Sequence, residues 1–278
     1  MIDLHTHSRF SDGSDSPQGI IELAKTAGCS HVALTDHDRL DGIGFAKQRA
    51  EELGIGFVPG VEISCIIQSG TFHLLAYFLE PIPGPLQDRL IDIQKARIDR
   101  NMALARKLSD AGFPISWDEL IEEAGGPNLG RPHFAAVMLR KGIVSSIQEA
   151  FDKYLAKGQP YYVPKMLLDP KEAIELALAS GALPVIAHPL SLEVHGDELS
   201  RYISELESYG LVGIESHYSR YTPPLRTLLV QLAESLSLVA TGGSDYHGTY
   251  KTGLQIGTGE GDLLVPDSAL DQLRDRLK

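Results

Sequence analysis

The sequence predicts an α/β protein with parallel strands, and two observations favour this fold class. Short apolar runs such as 31–35 and 183–187 alternate with amphipathic helical stretches such as 17–27. Alternation at this short spacing is typical of parallel sheets and barrels. Polar residues also cluster where the predicted strands end, which is where such folds place their functional sites.

The first 80 residues are predicted to form five strands and two helices. Ser16 is a typical cap for the first helix, and Pro17 suits its first turn. Gly28 and Gly54 follow the two helices and are expected to end them. The predicted strands cover residues 1–7, 31–35, 57–58, 60–65 and 72–78, and the helices cover 17–27 and 42–53.

A helical insertion interrupts the alternation in the middle of the chain. Three prolines and a glycine within 81–85 break the pattern, and the following residues read almost wholly as helix. Helices are predicted over 86–111, 117–124, 131–141 and 146–155, with a loop at 125–130. We therefore expect a small helical insertion domain at 86–160, and an α/β domain made of residues 1–85 and 161–278.

The alternation resumes at residue 170 and adds three more strands. They are predicted at 183–187, 211–215 and 238–241, separated by helices over 170–180, 197–209 and 223–235. Polar residues follow each of these strands, either directly or after two glycines, which again indicates a site at the strand ends.

Composition and charge limit the function classes. A net charge of −12 argues against sequence-independent binding of long nucleic acid, because such binding needs a basic surface. Small phosphorylated ligands remain compatible, since bound metal ions can reverse the local potential. The chain contains no apolar run of about 18 residues, so no membrane-spanning helix and no membrane partner are expected.

Cysteine content indicates the compartment. Cys29 and Cys65 are too few for a disulfide framework, and both lie in apolar context. We expect buried thiols in a reducing compartment, with the cytoplasm as the default. The start of the chain shows no basic and apolar leader pattern, so no secretion signal is expected. A monomer or weak oligomer is expected.

Nine side chains able to bind metal lie at or just past the ends of predicted strands. His5 and His7 alternate with Leu4 and Thr6, so they would project from one face of a strand. A Ser-Asp-Gly turn then brings Asp12 to the same strand end. A single histidine more often has a core or surface role, but the whole set indicates a metal centre. The set is His5, His7, Asp12, His37, Glu62, His73, His188, Asp245 and His247.

The types of ligand indicate the metals. Imidazole and carboxylate without thiolate favour manganese, iron, zinc or magnesium over a cysteine-rich structural zinc site. Nine ligands exceed the need of one ion, so two or three divalent ions are expected, with a carboxylate such as Glu62 bridging two of them. Paired ions of this kind clamp the attacking and leaving oxygens in phosphate ester hydrolysis.

These motifs together resemble those of the PHP (polymerase and histidinol phosphatase) superfamily. The matching segments are 5–13, 35–37, 60–62, His73, 187–189 and 244–247. The resemblance implies a distorted (β/α)7 barrel of the TIM type with a three-metal site that often holds manganese. The insertion, with its segment 130–133, is similar to that of phosphoesterases that act on nucleoside 3′,5′-bisphosphates and short oligonucleotides, a branch that includes a 5′-to-3′ exonuclease of RNA maturation.

The family pattern also implies how the ligands are shared. His5, His7, Glu62 and Asp245 would hold one ion, Glu62, His73 and His188 a second, and Asp12, His37 and His247 a third. Asp36 is expected either to orient a ligand histidine or to form a turn. No catalytic group is expected beyond the ligands, because the nucleophile would be a hydroxide that the ions activate.

Three residues are candidates for binding the substrate. Arg131 and His133 could hold a second phosphate, since arginine donates two parallel hydrogen bonds to phosphate oxygens. Alternatively, Arg131 begins a helix and forms a surface ion pair. His217, at a strand end, could also face the substrate.

Three functions remain open at this point. The chain would be a metal-dependent phosphoesterase that releases phosphate from nucleoside 3′,5′-bisphosphates, such as pAp to AMP, or a 5′-to-3′ exonuclease that trims short 5′-phosphorylated oligonucleotides. A third possibility is a non-catalytic module that binds metal or nucleotide, and the complete ligand set argues against it. A metal amidohydrolase is disfavoured, because no lysine lies at a strand end where a bridging carbamate would form.

Overall fold

A seven-stranded sheet curls into a nearly closed barrel in the computed structural model, which describes residues 1–124 and 129–277. The strands follow one another in chain order: β1 (Ile2–Asp3), β2 (His31–Leu34), β3 (Gly56–Cys65), β4 (Phe72–Tyr77), β5 (Leu183–Ile186), β6 (Gly213–Tyr218) and β7 (Val239–Gly243). The Leu4 amide donates to the Gly242 carbonyl at 3.1 Å, and the Asp245 amide donates to the His5 carbonyl at 2.9 Å. These bonds join the first and last strands, and the expected distorted barrel is confirmed.

Ten α-helices lie within the described residues, nine of them close to predicted positions. They are α1 (Pro17–Thr26), α2 (Ile43–Leu53), α3 (Pro85–Asp110), α4 (Trp117–Ala124), α5 (Arg131–Arg140), α6 (Ile147–Ala150), α7 (Pro170–Ala179), α8 (Gly196–Ser208), α9 (Pro223–Ser235) and α10 (Ser268–Asp275). A π-helical turn (Phe151–Leu155) continues α6. Ser16 caps α1 by accepting from the Gly19 amide at 3.0 Å, as its sequence position predicted. Helix α10 was not predicted.

Strand β4 runs against its neighbours, so the expectation of parallel strands was wrong for this one strand. The pairs β3–β4 and β4–β5 are antiparallel, whereas the other four pairs are parallel. Only residues 66–71 connect β3 to β4, and a parallel crossover needs a dozen residues or more. The reversal brings the amino end of β4 to the rim where the parallel strands have their carboxyl ends.

The predicted strands 57–58 and 60–65 form one continuous strand, β3. Residues 56–59 pair with β2, and residues 60–65 pair with β4. Pro59 and Gly60 therefore mark the point where β3 changes its partner strand. The predicted break between two separate strands at this point was wrong.

The chain divides into two compact units, each with a hydrophobic core. The barrel unit comprises residues 1–90 and 167–278, and the helical unit comprises 91–166; the sequence prediction set the insertion at 86–160. Residues 125–128 of the predicted loop lie outside the described residues. Buried core residues include Leu75 and Val185 in the barrel unit, and Leu120 and Phe134 in the helical unit. Among the helices described, none has the length and apolar character needed to cross a membrane.

Candidate metal centre

His5 and His7 project from the same face of the segment that follows β1. Thr6 lies between them and points the other way, where its hydroxyl donates to the Ala33 carbonyl at 2.6 Å. Both imidazoles are fully buried, and their Nε2 atoms are 3.0 Å apart. The predicted alternation therefore places two ring nitrogens side by side.

Two glycines allow the backbone to close around this pair. A Cβ atom on Gly243 would collide with His5, so β7 can approach this segment only without a side chain there. A Cβ atom on Gly13 would collide with the His7 carbonyl. Close approach of the turn at Gly13 is what brings Asp12 back toward the histidines.

Asp12 forms the outer edge of the cluster. Its carboxylate oxygens lie 3.3 Å from His247 Nε2, 3.6 Å from His37 Nε2 and 3.7 Å from His7 Nδ1. The Asp12 side chain is 54% exposed, whereas His7 and His247 are buried. A carboxylate on the solvent side thus faces three ring nitrogens.

Glu62 is the centre of the cluster. Its carboxylate is buried, with 1% of the side chain exposed, and it lies within 3.3 Å of ring nitrogens from five histidines. Glu62 Oε2 approaches His5 Nε2 (3.3 Å), His7 Nε2 (3.1 Å) and His37 Nδ1 (3.1 Å), and Oε1 approaches His73 Nδ1 (2.9 Å) and His188 Nε2 (3.0 Å). A carboxylate whose two oxygens serve different sets of imidazoles is well arranged to bridge two ions.

Asp245 presents its two oxygens to different partners. Oδ1 faces the imidazoles, at 3.3 Å from His247 Nδ1 and 3.4 Å from His7 Nε2. Oδ2 accepts from the Tyr218 hydroxyl at 2.7 Å and from Lys251 Nζ at 2.5 Å. The Asp245 backbone has φ of 54°, a left-handed conformation that is uncommon outside glycine.

Buried polar atoms without hydrogen-bond partners indicate that these residues fit a metal. Glu62 Oε2 and His37 Nδ1 are 3.1 Å apart, yet neither has a hydrogen bond. Buried polar atoms are seldom left unsatisfied, and here a cation would satisfy both lone pairs. Three sets of potential ligand atoms each lie within 4.8 Å of one another: His7, Asp12, His37 and His247; His5, His7 and Asp245; His37, Glu62 and His73.

Electrostatic coupling within the cluster shifts its pKa values in both directions. Burial opposes the charge on His7, but hydrogen bonds to Asp245 and Glu62 outweigh it and raise the pKa of His7 to about 9. Burial lowers the pKa of His37 to about 3 despite the neighbouring carboxylates. The imidazoles hold the pKa of Glu62 well below its usual range, although burial acts the other way. Cations next to Glu62 are therefore favoured, whether protons on imidazoles or bound metal ions.

Glu215 contacts two residues of the cluster, and the sequence analysis did not select it. This carboxylate on β6 is fully buried, and its Oε1 lies 2.8 Å from His5 Nδ1. Its Oε2 accepts from the His188 amide at 2.7 Å. A proton held on His5 Nδ1 by Glu215 leaves Nε2 free to bind a metal. The signal in the sequence was an acidic residue inside the apolar strand 211–215.

Asp36 does not contact a ligand histidine through a hydrogen bond in the described structure. Its carboxylate accepts from the Ser8 amide and hydroxyl, both at 2.7 Å, and from the Ser11 hydroxyl at 2.6 Å. Asp36 therefore fixes the turn that carries Asp12, and the Ser11 hydroxyl that it holds lies 3.5 Å from His7 Nδ1.

Arg131 and His133 lie in the first turn of α5, in the helical unit. The Arg131 guanidinium donates to the Leu155 carbonyl at 3.2 Å and lies over the Tyr162 ring at 5.3 Å. His133 Nδ1 accepts from the Gly130 amide at 2.9 Å, and burial lowers the pKa of His133. Both side chains thus have structural partners within their own unit.

A pocket of about 420 Å³ opens beside the cluster. It is lined by His37, Glu62, Thr71, His73, His188, Leu190, Ser191, Tyr218, Tyr221, Asp245 and Lys251. His217 is not among these lining residues, because β6 has an irregular register between Glu215 and His217 and the pocket receives Tyr218 instead. A wider surface groove of about 860 Å³ contains none of the nine predicted ligands.

A barrel with a cluster of imidazoles and carboxylates at one rim, next to a pocket, is typical of metal-dependent hydrolases. Comparisons with known proteins give the kind of hydrolase. Residues 3–124 match the family model of the PHP domain. The chain is 33% identical to a 5′-3′ exoribonuclease of Haemophilus influenzae, over 88% of this chain and 89% of the relative.

Two further similarities agree with this one. A 3′,5′-nucleoside bisphosphate phosphatase of Chromobacterium violaceum is 30% identical over 92% of this chain and 90% of its own length. A crystal structure from Bifidobacterium adolescentis, described as a metal-dependent phosphoesterase, superposes with a TM-score of 0.82 at 28% identity, covering 99% of this chain and 96% of that one. The chain therefore belongs to the PHP family, and it is a hydrolase of phosphate esters that uses divalent metal ions.

Replacement of Glu215 by glutamine should weaken metal binding. Glutamine has one acceptor oxygen, so its NH₂ group must face either His5 Nδ1–H or the His188 amide. We expect the affinity for at least one ion to fall about 10- to 100-fold, as for other residues that orient metal ligands. Titration calorimetry and metal analysis after gel filtration would measure this.

The matched control is Glu234→Gln, an exposed glutamate on α9. It should bind metal like the wild type. Unchanged affinity and metal content in Glu215→Gln would show that Glu215 does not support the ligands.

Proposed function

We propose that this enzyme hydrolyses the 3′-phosphate of nucleoside 3′,5′-bisphosphates, converting pAp to AMP. The observation that carries the proposal is the cluster around Glu62, which opens into a pocket of about 420 Å³. This volume is within the range of sites for small ligands of nucleotide size, about 300–1,000 Å³. The net charge of −12 favours a small substrate over long nucleic acid.

The proposed ligands are the nine residues predicted from the sequence. His5, His7, Glu62 and Asp245 would hold one ion, Glu62, His73 and His188 a second, and Asp12, His37 and His247 a third. Support comes from Asp245 Oδ1 near His5 and His7, from Glu62 Oε1 near His73 and His188, and from Asp12 near His37 and His247. Manganese is the proposed metal, with iron, zinc or magnesium as alternatives.

The metal ions and the protein side chains would have different roles in the reaction. Bound divalent ions would supply positive charge for the phosphoryl oxygens and water of lowered pKa. Glu62 would hold the imidazoles of the cluster around its carboxylate. Glu215 would orient His5 so that its Nε2 faces the metal. Tyr218 and Tyr221 form part of the pocket wall beside these ligands.

A second candidate function is 5′-to-3′ exonuclease activity on short 5′-phosphorylated oligonucleotides. The similarity to the Haemophilus influenzae exoribonuclease favours it. Both functions would use the same ligands and the same pocket. We also propose a cytoplasmic location and a monomer or weak oligomer; the buried thiols of Cys29 and Cys65 are consistent with a reducing compartment.

Removal of the metal should abolish activity. Enzyme treated with a chelator should lose all turnover of an aryl phosphate, and added Mn²⁺ should restore it, because the protein has no other nucleophile in its proposed mechanism. Circular dichroism before and after chelation controls for unfolding. Full turnover without metal would contradict the metal mechanism, and no turnover with Mn²⁺ present would favour a non-catalytic binding module.

The two candidate functions give different products. With Mn²⁺ bound, we expect kcat/KM for phosphate release from pAp to exceed that for mononucleotide release from a 5′-phosphorylated tetranucleotide by about tenfold or more, since discrimination is a ratio of these values. Chromatography of the products would measure both. The reverse order would favour the exonuclease.

The binding of a second phosphate by Arg131 and His133 is still a prediction from the sequence. Replacing Arg131 by alanine should raise KM for pAp about tenfold or more and leave KM for a plain monophosphate ester nearly unchanged, because a charge-assisted bond to the second phosphate is lost. Arg140→Ala on the same helix is the matched control, as Arg140 pairs with Glu123. Equal effects of Arg131→Ala on both substrates would reject this role.

A further inference from the structure

Two hydrogen-bond donors that are outside the ligand set lie on the pocket wall. Lys251 Nζ and the Tyr218 hydroxyl both contact Asp245 Oδ2, at 2.5 and 2.7 Å. The other oxygen of Asp245 faces His5, at 3.6 Å from its Nε2, and His7. Asp245 therefore separates the proposed metal ligands from a pair of donors.

Lys251 is placed by a tight turn after the last proposed ligand, His247. The turn Gly248–Tyr250 is anchored where the Thr249 amide donates to the Ser14 hydroxyl at 3.0 Å. Gly248 has φ of 66°, and a Cβ atom there would collide with Ser14. The turn thus brings Lys251 back over Asp245 rather than out to solvent, and the Lys251 side chain is 32% exposed.

Lys251 differs from the other described pocket residues in carrying a cationic side chain of the lysine or arginine type. Glu62 and Asp245 also line the pocket and would repel a phosphate ester. Among the described residues that line it, Lys251 is the only lysine or arginine. Its ammonium has three N–H donors, and Asp245 Oδ2 accepts from it, which leaves donors for an anion in the pocket.

Tyr218 is a neutral donor in a fixed position. Its hydroxyl donates to Asp245 Oδ2 at 2.7 Å. Its ring packs edge-on against Tyr221 at 4.9 Å between centroids, and its carbonyl accepts from Arg226 Nε at 3.0 Å. The phenol oxygen is therefore held at the pocket wall, and only its O–H has to turn from Asp245 Oδ2 to reach a phosphate oxygen.

We propose that Lys251 and Tyr218 form a phosphoryl-binding wall, which donates hydrogen bonds to non-bridging oxygens of the phosphate that is hydrolysed. Lys251 provides the charge, and Asp245 holds both donors in place until the phosphate enters. The proposal rests on the proposed function only in that the substrate carries a phosphoryl group. It applies equally to a bisphosphate and to an oligonucleotide.

The test is phosphate binding by the Mn²⁺-loaded enzyme, with inorganic phosphate as the probe in titration calorimetry. Lys251→Met, which keeps the length of the side chain without the charge, should weaken phosphate binding about 10- to 100-fold, as expected for a lost charge-assisted hydrogen bond. Tyr218→Phe should weaken it about 3- to 10-fold, as expected for a lost neutral bond. Metal content, measured on the same samples, should equal that of the wild type.

Lys47→Met is the matched control, because Lys47 pairs with Glu80 at 2.9 Å on the surface of the same unit. It should bind phosphate as the wild type does. Wild-type phosphate affinity in Lys251→Met would overturn the proposal, as would loss of metal from that variant, since Lys251 would then only support Asp245. Absence of phosphate binding by the wild type in the millimolar range would overturn it too.

Failure of the proposed function and failure of the phosphoryl-binding wall give different results. If the wild type does not hydrolyse pAp but binds phosphate in a way that depends on Lys251, the substrate is wrong and the phosphoryl-binding wall is supported. If pAp is hydrolysed and Lys251→Met binds phosphate normally, the substrate is supported and the wall is rejected.

Discussion

The burial of one carboxylate, Glu62, determines how the rest of the site is built. An ionised carboxylate loses several kcal/mol of hydration when it is buried, and only close positive charge and hydrogen bonds offset that loss. Glu62 is 1% exposed, so it needs positive charge and hydrogen-bond donors close to its carboxylate. Its five imidazole neighbours come from four separate segments of the chain, and the barrel brings these segments together. Closure of the barrel and compensation of the Glu62 charge therefore depend on each other. The closed barrel brings the imidazoles to Glu62, and the imidazoles offset the cost of burying its carboxylate.

Two departures from regular structure follow from this constraint. The reversal of β4 brings its amino end to the rim, so His73 reaches Glu62 Oε1 at 2.9 Å from a strand that would otherwise point it to the opposite end. His188 and Asp245 adopt positive φ values of 27° and 54°. Such conformations cost about 1–3 kcal/mol each and persist where the surroundings over-determine them. For His188 that support comes from Glu215, which accepts from its amide.

Local patterns in the sequence predicted the fold class and selected nine candidate ligands that the structure brings together, because strand–helix alternation and residues at strand ends are short-range features. The direction of β4 was missed although the short connection at 66–71 excluded a parallel crossover. Glu215, Tyr218 and Lys251 were missed for a different reason. Their positions depend on a strand irregularity, on a turn anchored to Ser14 and on side-chain packing between distant segments. No spacing rule within one element encodes contacts of that kind.

The net charge of the chain repels a phosphate, whereas bound metal ions and Lys251 would attract it at the site. A net charge of −12 repels nucleic acid over long distances, and the carboxylates of the pocket repel a phosphate at short range. Divalent ions would reverse the local sign, as bound cations often do, and Lys251 adds a charge that belongs to the protein. Attraction for a phosphate is thus confined to the few ångströms around Glu62 and Asp245. Because little of a long anionic polymer could lie within that region, this distribution favours a substrate whose phosphates are few and close to the scissile bond.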